Sequence, residues 1–494
     1  MRRALAAAPV AAVAFVAVLA LAAIAVRQGV VGDDALRLWA GASTAADGQV
    51  PIGRIVAAYP TLPFLTSTLV AWLAPAGTPA PALVATGLLA VIAAFCFHAF
   101  RNAGWSDAGA GFASLLIALH PALLRAAVAG PADMFLAAFL LMLCLALYDL
   151  RARSGTSEVM GVGLALMALA FSHPMGAALS FAAVLFLAFA VRPLLVANSP
   201  FNVVVALIFP TVFTIAAFTY VSWVFPGDGW SFFAASAQSL SLWTVSETKL
   251  FGESLARFLP LEASLIMIAA IIVGAPVAVV MLIKVHRRRP LVTPAAVFVA
   301  AAIAATAISV LSGSFGDPAA LVVAAPVLAA TVALRVPLAR ERRVLVAALL
   351  VLGWVGGLAS VALVDPATVR DLRSFVERGR SERIDALTAG GAAAGRDGVL
   401  ADVDNAPAFV LGRGRARGIF GPQSESFALA VLFDRIDTPF VAVPDPQSST
   451  GAGDRLNKTF PTLFSEGLAG YRVVYQNNTW KLFGRAADVV GSKD

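Results

Sequence analysis

The feature that most constrains this chain is the recurrence of long apolar runs from its first residues to Val364. The runs are about 15–25 residues long, parted by short breaks of Arg, Pro or Gly, and that length matches a bilayer core of about 30 Å. Within lipid each segment must satisfy its own backbone polar groups, so such runs are expected to be helices. Composition agrees: 60% of residues are hydrophobic, 13% are charged, and mean hydropathy is +0.84. A soluble single domain is excluded.

The runs lie at roughly 4–26, 61–75, 80–100, 108–124, 132–149, 159–171, 174–191, 202–225, 261–284, 291–312, 317–335 and 343–364. Charge decides which of them cross. With Arg2 and Arg3 inside, a crossing at 61–75 would put Arg101, Arg151 and Arg153, Arg287–Arg289 and the Arg335–Arg343 cluster outside. Without that crossing all of them fall inside, as the positive-inside bias prefers. The 61–75 run is also short and bracketed by Pro60, Pro63 and Pro75. It is read as a juxtamembrane helix on the outer face, which leaves about eleven crossings. The run after Met1-Arg2-Arg3 spans by length and lacks a clear cleavage site, so it is read as a retained first helix.

This topology expects a transmembrane domain over 1–364 with outer loops at 27–79 and 226–260, a connector at 365–398 rich in Gly, Ala and Arg, and a periplasmic α/β domain at 399–494. In the tail, Val399–Val403 and Phe440–Pro444 read as strands with a helix over Ser424–Phe433 between them. Tyr471–Tyr475 and Thr479–Phe483 flank a hairpin turn. Aromatic residues in the outer loops, among them Trp39, Phe64, Trp72 and Trp230, suit a membrane interface. The net charge of +7 sits mainly in the inside breaks, so nucleic-acid binding is rejected. Cys96 and Cys144 lie within apolar runs and offer neither a disulfide framework nor metal spacing.

Few residues can carry chemistry. Asp33 and Asp34 follow the first crossing, where a carboxylate can act as a general base or cap the next helix. Asp133 stands at the outer entrance of another crossing, just after Pro131, where helix capping is the alternative role. Arg125 breaks the inside rule near an outer helix end, and a partly buried cation there wants an anion, either Asp133 or a phosphate; snorkelling to headgroups is the alternative. His173 occupies an outer His-Pro turn, where a structural role is equally open. The 226–260 loop adds Lys249 and Arg257. His98, His120 and His286 have no partner spacing, and no phosphate-binding, dinucleotide or nucleophile-elbow motif is present.

In their order these features resemble the GT-C superfamily of membrane glycosyltransferases, which includes protein mannosyltransferases and lipid A aminoarabinose transferases. The resemblance rests on Asp33-Asp34 in the first outer loop and on Tyr59-Pro60-Thr61-Leu62-Pro63 leading a juxtamembrane helix. It continues through His120-Pro121, Arg125, Pro131-Ala132-Asp133, and the helix that ends at His173-Pro174. It covers about residues 1–200; the family's His-Pro-Pro is replaced at 59–61, and Ala132 separates Pro131 from Asp133. The resemblance implies transfer of a sugar from a polyprenyl-phosphate donor to a lipid or glycan acceptor at the outer face of an inner membrane. Asp33, Asp34 and Asp133 would then be catalytic, and Arg125, Tyr59, His173, Lys249 and Arg257 would bind substrate. A divalent cation at the carboxylates stays open, although no dedicated metal motif exists. A non-catalytic scaffold in envelope glycan assembly is the alternative. A transporter is disfavoured by the scarcity of charge within the runs and by the lack of a repeat.

Overall fold

The computed structural model describes residues 2–27, 33–50, 55, 58–75, 77–153, 155–192, 200–225, 259–284, 289–312, 315, 317–335, 340–364, 382–422 and 424–486. The apolar runs are helices: α1 (Arg2–Arg27), α2 (Asp33–Ala46), α3 (Thr61–Leu73), α4 (Ala80–Asn102), α5 (Asp107–Ala118), α6 (Pro121–Ala129), α7 (Pro131–Arg153), α8 (Thr156–Ser172), α9 (Pro174–Ala190) and α10 (Pro200–Val224). Then come α11 (Pro260–Gly274), α12 (Pro276–Lys284), α13 (Arg289–Ser312), a 3₁₀ segment (Pro318–Val323) that runs into α14 (Ala324–Arg335), and α15 (Arg340–Val364).

Among the described residues, seven helices are long and apolar enough to cross a membrane, or up to nine if each bent pair is one span. The bent pairs are α5 with α6, at 53°, and α11 with α12, at 84°. Both runs read as continuous in the sequence. Each breaks where a proline, Pro121 or Pro276, removes a backbone donor and starts a new helix. Helices α8 and α9 have 17 residues each, about 26 Å, which is a little less than a bilayer core. Helix α3, with 13 residues, is only about 20 Å long. Leu65, Leu69, Trp72 and Leu73 form an exposed apolar stripe on it, as an interfacial helix would present.

One end of the bundle gathers the arginines of the breaks between the apolar runs. Arg101 donates to the Trp105 carbonyl (2.9 Å), Arg151 to the Val191 carbonyl (2.6 Å), Arg335 pairs with Asp149 (2.6 Å), and Arg343 donates to the Gly104 carbonyl. Asp133, at the opposite end of α7 from Arg151, therefore lies on the other face.

The C-terminal domain contains a five-stranded sheet of order β2-β1-β3-β5-β4. Its strands are β1 (Val399–Leu400), β2 (Ile419–Phe420), β3 (Phe440–Pro444), β4 (Tyr471–Gln476) and β5 (Trp480–Arg485). Parallel β1 and β3 are neighbours, and β5 pairs antiparallel with both β3 and β4. Trp480, 2% exposed, stacks on Phe409 with ring centroids 5.1 Å apart. Two expectations are corrected, and one strand is additional. Strand β1 has two residues rather than five, because the chain turns at Asp402. The two-residue β2 was not foreseen. Residues 382–392, expected to belong to a loose connector, form a helix (α16) that buries Ala386 and Ala389, with Ala393 following it in the core. The rest of the domain comprises α17 (Pro407–Arg413), α18 (Glu425–Phe433), α19 (Arg455–Thr459) and α20 (Leu463–Glu466).

Candidate active site

The site is assembled on helices that open with proline. Proline at the first helical position pre-sets the helix and pushes the residue before it into an extended conformation. In His173-Pro174 that residue is His173 (φ −159°, ψ 141°), which becomes the N-cap of α9. Its Nδ1 accepts the Met175 backbone N–H at 2.9 Å, which fixes the ring proton on Nε2. Nε2 in turn donates to Asp133 Oδ1 at 3.0 Å. Asp133 reaches this position from the first turn of α7, which begins at Pro131. Its other oxygen, Oδ2, lies 3.8 Å from Arg125 Nη1. All three side chains are largely enclosed, at 11%, 15% and 11% exposed for Arg125, Asp133 and His173.

Residues 48 positions apart in sequence thus form one chain, from His173 through Asp133 to Arg125. Its effect is to aim and hold a guanidinium. Both Asp133 oxygens face N–H donors, so the carboxylate holds Arg125 in place more readily than it could take a proton from a substrate. A divalent cation at Asp133 would have to displace Arg125, and this donor set does not fit one. Among the described residues, no group of three or more His, Cys, Asp or Glu converges as a metal centre.

Backbone geometry sets the first turn of α2 beside the α6–α7 turn. Gly130, at the α6–α7 turn, has φ 137°, a conformation that favours glycine. A Cβ built there would stand 3.7 Å from the Cβ of Ala35 in the first turn of α2. The turn that presents Asp133 therefore abuts the helix start that carries Asp33 and Asp34, whose side chains lie outside the described residues. Lys249 and Arg257 also lie outside them. The Tyr59 hydroxyl donates to the Ala170 carbonyl at 2.9 Å, and its ring meets Phe218 edge-on at 5.5 Å. It fastens the entrance of α3 to the last turn of α8, one step before His173.

Contacts from the C-terminal domain complete the surroundings. Leu36 and Trp39 of α2 pack on Leu411 of α17, and Asp47 Oδ2 accepts the Ala416 backbone N–H at 2.6 Å. Sequence reading missed this docking, because Asp47-Gly48 looks like any turn. It puts the C-terminal domain on the same face of the bundle as Asp133.

Fold and site together define a polytopic α-helical membrane protein with an appended α/β domain. The fold is similar to that of a crystal structure of ArnT from Cupriavidus metallidurans in the apo state: TM-score 0.54, 15% identity, covering 97% of this chain and 98% of that one. No model of a protein family matches the chain, and no curated protein matches it.

Proposed function

We propose that this chain is a membrane glycosyltransferase that takes a sugar from a polyprenyl-phosphate donor and passes it to a lipid or glycan acceptor at the outer face of the inner membrane. The observation that carries the reading is the enclosed His173–Asp133–Arg125 chain beside the start of α2. In the reaction the acceptor hydroxyl attacks the anomeric carbon and its proton passes to Asp33 or Asp34. The bond from that carbon to the phosphate oxygen breaks, and the lipid monophosphate leaves with its charge met by Arg125. Asp133 and His173 act by keeping Arg125 aimed, and Lys249 and Arg257 are further candidates for the phosphate. The ArnT-like fold supports the reading, as does the length of α8 and α9, which keeps the His173 turn close to the lipid.

The test uses a bare polyprenyl phosphate, the part that such donors share, with the purified full-length protein. Arg125→Ala should weaken its binding about tenfold or more, as expected for loss of a charge-assisted contact worth about 1.5–3 kcal/mol. Asp33→Asn/Asp34→Asn should leave lipid binding intact and reduce transfer about 10²–10⁴-fold. A well-folded double variant with full transfer activity would remove the pair from catalysis and favour the scaffold reading.

A further inference from the structure

The C-terminal domain contains a second polar cluster, away from the membrane site. Asp402 follows the carboxyl end of β1, and Asp454 and Asn457 follow that of β3. The chain leaves β1 for β2 on one side and returns to β3 on the other, so β1 and β3 flank the topological switch point of the parallel strands. Ligands of open α/β sheets bind in the crevice at that point, because the loops diverge there.

The three side chains are buried, at 1%, 0% and 7% exposed. Each carboxylate spends one oxygen on the chain. Asp402 Oδ2 accepts from Arg455 N (3.0 Å) and Asn405 Nδ2 (2.8 Å), and Asp454 Oδ1 accepts from Asn457 N (2.9 Å). Asn457 Nδ2 donates to the Pro444 and Gly451 carbonyls at 2.9 and 3.4 Å, which fixes how its amide faces. What remains is Asp402 Oδ1, Asp454 Oδ2 and Asn457 Oδ1, each buried without a hydrogen-bond partner. All three are acceptors. A single shared proton would join two of them and leave the third unsatisfied, whereas one cation bound among them would satisfy all three. Arg455 does not fill the role: its guanidinium lies 3.9 Å from the other Asp402 oxygen and 3.3 Å from Asp404.

We infer that Asp402, Asp454 and Asn457 form a binding site for a hard divalent cation, Mg²⁺ or Ca²⁺, which ties the loop after β1 to the loop after β3. Two carboxylates and an amide oxygen suit either ion, with water completing the shell.

The experiment uses chelator-stripped full-length protein dialysed to equilibrium against Mg²⁺ alone or Ca²⁺ alone, with the retained metal counted. About one ion per chain is expected, with an affinity on the order of 10⁻⁴–10⁻³ M, as in extracellular oxygen-ligand sites. In Asp402→Asn/Asp454→Asn, which keeps the side-chain shapes and removes both buried charges, retention should be lost. Thermal unfolding followed by intrinsic tryptophan fluorescence should show a saturable rise in Tm with the retained ion for the wild type and no shift for the variant. No retained metal in the wild type, the result expected if the pair merely shares a proton, overturns the inference without reference to any variant. Undiminished retention in the double variant overturns it too.

Discussion

Two His-Pro turns in this protein are locally alike and used differently. In both, proline opens a helix and the histidine caps it through Nδ1, His120 from Ala122 N–H and His173 from Met175 N–H. In both, this leaves the ring proton on Nε2. His120 spends that proton on backbone: its Nε2 lies 3.0 Å from the Gly353 carbonyl and 3.3 Å from that of Gly274. Those carbonyls belong to α15 and to the break between α11 and α12, so the ring pins a bent span to the last crossing. Trp354 adds a second tie, donating to the Leu119 carbonyl at 2.7 Å. His173 spends the same proton on a carboxylate that faces Arg125. One turn is a joint and the other aims a charge, and the difference lies wholly in what stands opposite Nε2.

The comparison can be broken most forcefully at Asp133. Asp133→Ala removes an enclosed carboxylate that both His173 and Arg125 face, and losing one partner of a buried charge pair costs about 3–5 kcal/mol. Thermal unfolding should show a loss of that order, together with collapse of transfer activity. A stability loss under about 1 kcal/mol would mean that the pair is effectively solvated.

The next effect belongs to the other turn. His120→Ala strips a donor from two buried carbonyls, at about 1–3 kcal/mol. The protein should become less stable and less abundant, while activity per folded molecule stays unchanged. Gly357→Ala should act similarly, because its Cβ would lie 2.6–2.8 Å from the His120 ring and Pro121. A fall in activity per folded molecule in either variant would erase the distinction between joint and site.

His173→Ala should cost less in stability, about 1 kcal/mol for the lost cap. It should nevertheless lower transfer by the folded protein, since Asp133 loses the bond that orients it. Smallest of all is His173→Asn, because asparagine still caps a helix. Stability should recover towards wild type while activity does not. Recovery of both would reduce His173 to a cap.

A further prediction concerns the docked domain. Asp47→Ala removes the acceptor of the Ala416 N–H and should loosen α17 from α2. Hydrogen exchange along residues 33–46 should quicken while the bundle core is unchanged. Unaltered exchange there would show that the C-terminal domain does not steady the helix that carries the acidic pair.

The sequence by itself determined the helices of the membrane part, because a run of apolar side chains in lipid has one way to satisfy its backbone. It also determined the bias of the arginines to one face and the capping at each His-Pro step, since these depend on residues within one turn. It determined less in the tail, where residues 382–392, part of a Gly-, Ala- and Arg-rich stretch at 378–398, read as a linker and become a helix only because their alanines find a sheet to pack on. Only the tertiary structure decided which histidine serves the candidate site, that both Asp133 oxygens are engaged, and that the buried oxygens of Asp402, Asp454 and Asn457 follow adjacent strands. Most of those facts are meetings of segments dozens of residues apart. Local propensity is indifferent to such meetings, and the packing of helices and strands is what fixes them.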